Sequence, residues 1–249
     1  MRRIFNKRST YSIYYVMMIS VICFGAVCQA SETEQDAYVI ESYGSRLSLI
    51  HEGKLDSTVN LKELDISDIY AIGPVEGLQG EVTVYGGNIS ISTVINGAPS
   101  VSANQDTGAI FLITAKHNDW LTHSVARELS GLNEVESYIK GLLEANNIDL
   151  TQPRAFRIET SVPYMKYHII FKTNNTPHDM AEHRKAKIKF ELADTEVDIV
   201  GFWVDEHRVG KFTHPGKRTH MHFIAKDQST SGHIDNIVVP IGAQIFIGQ

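Results

Sequence analysis

The feature that most constrains the fold is the pattern after Pro153, where short segments of alternating apolar and polar residues follow one another with turn-rich pieces between them. This alternation is typical of strands that bury one face. Their spacing is typical of a barrel or a sandwich. Seven segments are predicted as strands: residues 156–162, 168–172, 185–192, 197–204, 219–225, 234–239 and 244–247.

The part of the chain before Pro153 mixes strands with helix. Residues 82–85 and 89–92 alternate around Gly86-Gly87-Asn88, which predicts a hairpin. Further strands are predicted at residues 38–50, as one strand or a pair, and in the apolar run 109–115. A helix is predicted at residues 133–146, with Asn133 as its cap and Glu136 reaching back to it, and a shorter one around residues 121–129. The fold class is therefore α+β, predominantly β.

The first thirty residues have the order of a secretory signal peptide. Four basic residues between positions 2 and 8 precede an almost uncharged apolar run at residues 14–27, and Cys28-Gln29-Ala30 supplies small residues before an acidic segment. The run is shorter than the roughly 20 residues that span a bilayer, which disfavours the alternative of a retained anchor. We therefore expect residues 1–30 to be cleaved after Ala30 and the protein to be exported, to the periplasm or the medium.

Cleavage would change both the cysteine content and the charge. Cys23 and Cys28 are the two cysteines of the sequence and both lie in the predicted signal, so the mature chain would form no disulfide and no cysteine-metal site. It would carry 19 basic and 29 acidic residues, a net charge of −10. Such a chain has no positive field to hold nucleic acid, and nothing after residue 31 resembles a membrane segment. We expect a small-molecule substrate.

Three histidines near the C-terminus have the spacing of metal ligands. His220 and His222 share one face of a predicted strand, ~6.5–7 Å apart at Cα, from which two imidazoles can converge on one ion. Residues 226–232 can turn the chain back, so that His233 opens the next strand opposite the pair. Three neutral imidazoles leave a coordination position open, as catalytic sites do. The alternative is that the three are half-buried barrel residues with hydrogen-bonded rings.

Glu81 is the second candidate. It stands just before a predicted strand, where a carboxylate could project into a barrel mouth, although such a residue is more often a solvated charge at a strand end. The eight other histidines lack ligand spacing to one another and are assigned no role; they are His51, His117, His123, His168, His178, His183, His207 and His214.

These residues lie in segments that resemble the α-acetolactate decarboxylase family. That family has an Ile-Val-Gly-Phe strand, a His-x-His-Phe-Ile strand and a Gly-Gly-His return, which residues 197–202, 219–224 and 231–235 resemble. Gly80-Glu81-Val82 is similar to its Gly-Glu-hydrophobic step, and residues 47–64 to its N-terminal stretch. The resemblance spans about residues 38–247 and is most specific in the last sixty residues.

The resemblance implies a zinc enzyme of two packed β-rich lobes, assembled as a homodimer. The lobes would be residues 31–152, with the helix 133–146, and residues 153–249, a barrel-like lobe that carries the metal site. It implies decarboxylation of 2-hydroxy-2-methyl-3-oxobutanoate to acetoin, with His220, His222 and His233 as zinc ligands and Glu81 as a catalytic carboxylate. Three imidazoles also suit other divalent transition metals.

Two family features have no evident counterpart. The family's arginine in a Thr-Arg-[Ser/Thr]-Val strand is missing after Thr160, and Arg157 lies ~13 Å upstream of Ser161 along a strand. No glutamate like the family's second one follows before Gln249. Three functions therefore stay open: an exported decarboxylase of acetolactate or a close 2-hydroxy-3-oxo acid, a metalloenzyme of the same fold with another substrate, and a non-catalytic exported metal-binding module.

Overall fold

The strands and helices are those of a computed structural model that describes residues 39–249. The predicted signal peptide at residues 1–30 lies outside the described residues. In chain order the described part forms fifteen strands and three α-helices: β1 Val39–Tyr43, α1 Arg46–Glu52, β2 Val59–Asn60, β3 Ile69–Pro74, β4 Glu81–Tyr85, β5 Asn88–Ile95, β6 Ala98–Ser102, β7 Gly108–Ala109, β8 Leu112–Lys116, β9 Trp120–Ser124, β10 Leu129–Ser130, α2 Leu132–Ala145, β11 Arg154–Ile170, α3 Met180–Ala186, β12 Lys187–Trp203, β13 Thr219–Ala225, β14 Ser231–Val239 and β15 Gln244–Gly248. The predicted class, α+β and predominantly β, is confirmed.

The first sheet has six antiparallel strands in the order β1-β8-β3-β4-β5-β6. Its β4–β5 hairpin confirms the one predicted from sequence. The turn between them uses Gly86 and Gly87, at φ values of +54° and +85° that side chains rarely adopt. The predicted strand at residues 38–50 is half right, since it ends at Tyr43 and is followed by α1.

The second sheet has seven strands in the order β10-β14-β13-β12-β11-β15-β9. β14 pairs with β11 as well, so these pairings run from β11 through β12, β13 and β14 back to β11. The barrel-like shape of this half stays a prediction.

The long strands β11 and β12 correct the sequence analysis, which predicted two shorter strands in each region. They pair with each other along nearly their whole length, from Arg154 opposite Trp203 to Ile170 opposite Lys187. Residues 193–196, between the predicted strands 185–192 and 197–204, continue the strand, and their side chains are largely exposed. Residues 180–186 form α3, so the strand predicted from residue 185 begins two residues later, at Lys187.

The helix predicted at residues 133–146 is confirmed as α2, and its predicted cap is wrong. Gly131 is the N-cap and provides no side-chain hydrogen bond. Glu136 instead accepts hydrogen bonds from the backbone N–H groups of Arg218 (2.7 Å) and Thr219 (3.2 Å), which ties α2 to the start of β13. The shorter helix predicted around residues 121–129 is also wrong, because this segment forms β9 and pairs with β15.

The two sheets pack against each other through a buried apolar cluster. From the first sheet it takes β3 and β8 side chains such as Tyr70 and Ile113, and from the second it takes Ala155, Val200 and Phe202. Helix α2 packs on the second sheet, which β9 and β10 join as well. Because β9 and β10 precede residue 152 but belong to the second sheet, the predicted lobe boundary between residues 152 and 153 does not coincide with the boundary between the sheets. None of the described helices is long and apolar enough to cross a membrane.

Candidate active site

Strands β13 and β14 bring together the three histidines that the sequence singled out. His222 and His233 lie opposite each other in the β13–β14 register, and His220 is two residues before His222 on the same face. All three are buried. The distance from His220 Nε2 is 3.2 Å to His222 Nε2 and 3.0 Å to His233 Nδ1. The imidazoles thus converge on one point, as the strand spacing predicts.

The hydrogen bonds at the far side of two rings fix where their protons lie. His220 Nδ1 donates to the carbonyl of Phe212 (2.7 Å), and His222 Nδ1 donates to the carbonyl of Val82 (3.0 Å). A carbonyl oxygen only accepts, so in each neutral ring the proton is on Nδ1 and Nε2 carries a lone pair. The two Nε2 lone pairs therefore face each other at 3.2 Å without a proton between them. A cation at that point would turn their repulsion into attraction.

Burial keeps these rings neutral. It lowers the pKa of His220 to about 3, and it holds the pKa of His222 and of His233 well below the usual value, with neighbouring histidines adding to the effect. The neutral imidazole is the form that binds a metal ion.

The donor set fits a divalent transition metal. Two nitrogens bound to one zinc ion at ~2.0–2.1 Å with a tetrahedral angle stand about 3.3 Å apart, close to the distances observed here. Imidazoles that bind a metal commonly donate their other N–H to a backbone carbonyl, as His220 and His222 do. Three protein ligands leave a further coordination position for a reactant.

Glu81 is the first residue of β4 and faces this centre from the first sheet. Its Oε2 lies 3.8 Å from His222 Nε2, and its Oε1 accepts a hydrogen bond from the backbone N–H of Ile170 (3.2 Å). Only 4% of the residue is exposed, so it is not the solvated charge of the alternative interpretation. Burial raises the pKa of Glu81 to about 8, so in the metal-free protein the carboxyl group holds a proton at neutral pH.

Two histidines that the sequence analysis left without a role also reach the centre. His168 lies opposite His233 in the β11–β14 register, and its Nδ1 is 3.0 Å from Asp235 Oδ1. These three side chains form a second group with ligand geometry, which shares His233 with the first. His214 Nε2 is 3.2 Å from His233 Nε2. Neither has a spacing signal in the sequence, because one contact depends on strand register and the other on a loop.

The centre opens into a cavity. The lining combines the charged and histidine side chains with apolar ones, Leu49, Pro74, Phe111, Ile170 and Phe212 among them. Arg157, which could replace the missing arginine only after a shift of register, is not part of this lining. It donates to Tyr85 and Glu159 and lies 4.0 Å from the Phe246 ring centroid.

The fold is that of acetolactate decarboxylases of known structure. The TM-score is 0.70 to the acetolactate decarboxylase from Bacillus subtilis subspecies spizizenii, with 20% sequence identity over 84% of this chain and 85% of that one. It is 0.71 to the alpha-acetolactate decarboxylase from Bacillus subtilis strain 168, with the same identity and coverage. It is 0.69 to a Staphylococcus aureus protein of unknown function similar to alpha-acetolactate decarboxylase, with 16% identity over 84% of both chains.

The sequence itself leads to the same family. The model of the alpha-acetolactate decarboxylase family matches residues 43–247, and the chain belongs to this family. Membership implies a carboxy-lyase and confirms the resemblance seen in the sequence. No protein of curated function matches the chain significantly.

Proposed function

We propose that the protein is a metal-dependent decarboxylase that converts 2-hydroxy-2-methyl-3-oxobutanoate to acetoin and carbon dioxide. One observation carries this proposal: three buried histidine nitrogens converge beside the buried carboxyl group of Glu81, at a cavity. Membership of the family supports the reaction class.

His220, His222 and His233 would hold the metal ion. When bound, a zinc ion there would act as a Lewis acid towards adjacent hydroxyl and ketone oxygens and would offset the negative charge left by departing carbon dioxide. Zinc is our proposal for the metal, and another divalent transition metal is the alternative. The carbonyls of Phe212 and Val82 hold two of the rings in the tautomer that presents Nε2 to the ion.

Glu81 would supply the proton that the reaction consumes. When the bond between C1 and C2 breaks, its electron pair stays on the substrate, and C2 must gain one proton to give acetoin. The Ile170 N–H holds Glu81 Oε1, which leaves Oε2 on the side of His222. We assign the proton to Oε2, from which it can be delivered to one face of the substrate. The apolar lining limits the access of water that could protonate the other face.

The test is the formation of acetoin from acetolactate by purified, zinc-loaded protein. We expect turnover well above the spontaneous reaction, and Glu81→Gln should lower kcat by about 100-fold or more while keeping its metal. His222→Ala should lose both metal and activity. Glu63→Gln and His51→Ala, at exposed positions, are the matched controls. An inactive native protein with its metal bound, or a fully active Glu81→Gln variant, would refute the proposal.

A metalloenzyme of the same fold with a different substrate is the second candidate. It is favoured by the position of Arg157, which lies outside the cavity lining. This candidate predicts one bound metal ion per chain and no acetoin from acetolactate. If His222→Ala left both metal content and activity unchanged, both catalytic candidates would fail and the third function, a non-catalytic module, would be left.

We also propose that the protein is exported and acts on its small-molecule substrate as a homodimer. The N-terminal sequence supports the first point, and the family supports the second and third. N-terminal sequencing of protein from the periplasmic fraction or the medium should begin at Ser31, whereas an intact Met1 would contradict cleavage. Light scattering on the purified protein should give twice the mass of the mature chain.

A further inference from the structure

Two cationic side chains line the cavity beside the three-histidine centre. Arg46 is the first residue of α1, and Lys187 is the first residue of β12. Glu81 is the one carboxylate in the lining. With both cations charged, the lining therefore has a net positive charge even if Glu81 is ionised, and any protonated histidine adds to it.

The guanidinium of Arg46 is buried without a counterion. Only 7% of the residue is exposed, and its Nε is a buried donor with no hydrogen-bond partner. Among residues 39–249, no hydrogen bond or ion pair joins this side chain to another. A buried guanidinium is normally paired, because its five donors and its charge lose their hydration. The unpaired donors at a cavity wall therefore indicate a place for an acceptor that is not part of the chain.

Lys187 is half-buried and lines the same cavity. No hydrogen bond or ion pair within the described part of the chain occupies its ammonium group. Burial lowers the pKa of Lys187, and the charges of Asp235 and Glu81 offset only part of that effect. An anion beside it would stabilise the charged form.

The packing of the elements brings both cations to the same cavity. Leu49 and Ile50 of α1 share a buried cluster with Ile170 at the end of β11 and Ala186 at the end of α3. Lys187 directly follows Ala186. Both cations line the same cavity as His214 and His220.

We propose that Arg46 and Lys187 form an anion subsite that holds the carboxylate of the substrate beside the three-histidine centre. The identity of the substrate rests on the proposed function; the subsite assigns the carboxylate contact that Arg157, which lies outside the cavity lining, does not make. Arginine offers two parallel N–H donors that match a carboxylate, and lysine adds a compact point charge. The subsite selects 2-hydroxy-3-oxo acids over the corresponding uncharged hydroxyketones.

The experiment compares two unreactive ligands, a charged carboxylate and its uncharged methyl ester. The first is 2,3-dihydroxy-2-methylbutanoate, in which the ketone is reduced so that decarboxylation is blocked, and the second is its methyl ester. Calorimetry on the zinc-loaded full chain should show the carboxylate binding at least about tenfold more tightly than the ester. Arg46→Gln and Lys187→Met should each lower this ratio several-fold, and Arg46→Lys, which keeps the charge, should lower it less than Arg46→Gln.

Two matched variants control for the loss of a positive charge in general. Arg184→Gln removes an exposed arginine from α3, and Lys189→Met removes an exposed lysine two residues along β12. Both should keep the native ratio. Circular dichroism and zinc content verify each variant, and if Arg46→Gln does not fold, Lys187→Met decides the test alone.

The outcomes distinguish a failure of the proposed subsite from a failure of the proposed reaction. A native protein that does not prefer the carboxylate, or a preference unchanged in both Arg46→Gln and Lys187→Met, overturns the subsite even if acetoin forms. A preference that depends on both cations supports the subsite even if acetolactate is not turned over, in which case only the proposed reaction fails. In steady-state kinetics of an active enzyme, loss of the subsite should raise KM more than it lowers kcat.

Discussion

At the scale of single residues, burial sets the chemistry of the site. It keeps three imidazoles neutral and keeps Glu81 protonated at neutral pH in the metal-free protein. The sequence predicts the convergence of His220, His222 and His233, because a strand has a period of two residues and a short return places the third ring opposite. It could not predict the tautomers of His220 and His222, which depend on the carbonyls of Phe212, in a loop, and of Val82, on the first sheet.

The pKa of Glu81 predicts how the stability of the metal-free protein changes with pH. The folded pKa of about 8 lies above the ordinary value of 4.5, so the carboxyl stabilises the fold at low pH and loses this contribution as pH rises to 8. Between pH 6.5 and 8 the contribution of Glu81 to the free energy of unfolding should fall by about 2 kcal/mol. The buried histidines titrate on unfolding in the same window but do so equally in Glu81→Gln, so in urea titrations the free energy of unfolding of the native protein should fall by this amount relative to that of the variant. Equal slopes in both would show that Glu81 is ionised in the fold.

At the scale of elements, the apolar periodicity predicts α2 correctly but not its start, because Glu136 bonds to the beginning of β13 instead of capping its own helix. The sequence has capping residues at both ends of α1, which the prediction of strand at residues 38–50 missed. Ser45 caps it through an oxygen that accepts from the N–H of Ser48 (3.2 Å), and Gly53 ends it at a φ of +65°. The full length of β11 and β12 could not be predicted, because pieces between the shorter predicted strands, such as residues 193–196, have the composition of turns.

Gly80 determines where β4 begins and thereby where Glu81 lies. Its φ is +150°, and a Cβ at this position would stand 2.0 Å from the carbonyl oxygen of Ser92. We expect Gly80→Ala to lower the free energy of unfolding by about 3 kcal/mol and to lower activity through Glu81.

Gly97→Ala is the control for Gly80→Ala. Gly97 also has a positive φ, +80°, but nothing lies within 4 Å of its Cβ position, so the cost should be about 1 kcal/mol. Urea denaturation of both variants measures the difference. Equal costs would mean that β4 tolerates a side chain before Glu81.

At the scale of the whole molecule, the site exists only where the two sheets meet. Glu81 and the carbonyl of Val82 belong to the first sheet, whereas the three histidines belong to the second. The sequence contains the segment with Glu81 and the segment with the three histidines, and the family resemblance implies that both contribute to one site. It cannot give the packing, because the buried cluster that includes Tyr70 and Phe202 joins distant parts of the chain.

Because the site depends on this packing, the sheets should unfold together. Phe202→Ala removes a fully buried ring from the cluster between them and should lower the free energy of unfolding by about 3–5 kcal/mol in one transition. Circular dichroism and tryptophan fluorescence should give coincident curves. Ile241→Ala, at a residue that is 69% exposed, should change stability by less than about 0.5 kcal/mol. Two separate transitions in the native protein would show that each sheet is stable alone.

The proposed function depends most directly on a metal ion held by His220, His222 and His233. The measurement that tests it is a calorimetric titration of zinc into metal-free protein, with His222→Ala and His51→Ala titrated alongside. We predict one ion per chain in the native protein and in His51→Ala, and none at this site in His222→Ala. A native protein that binds no zinc, or a His222→Ala variant that binds it as tightly as the native protein, would contradict the account.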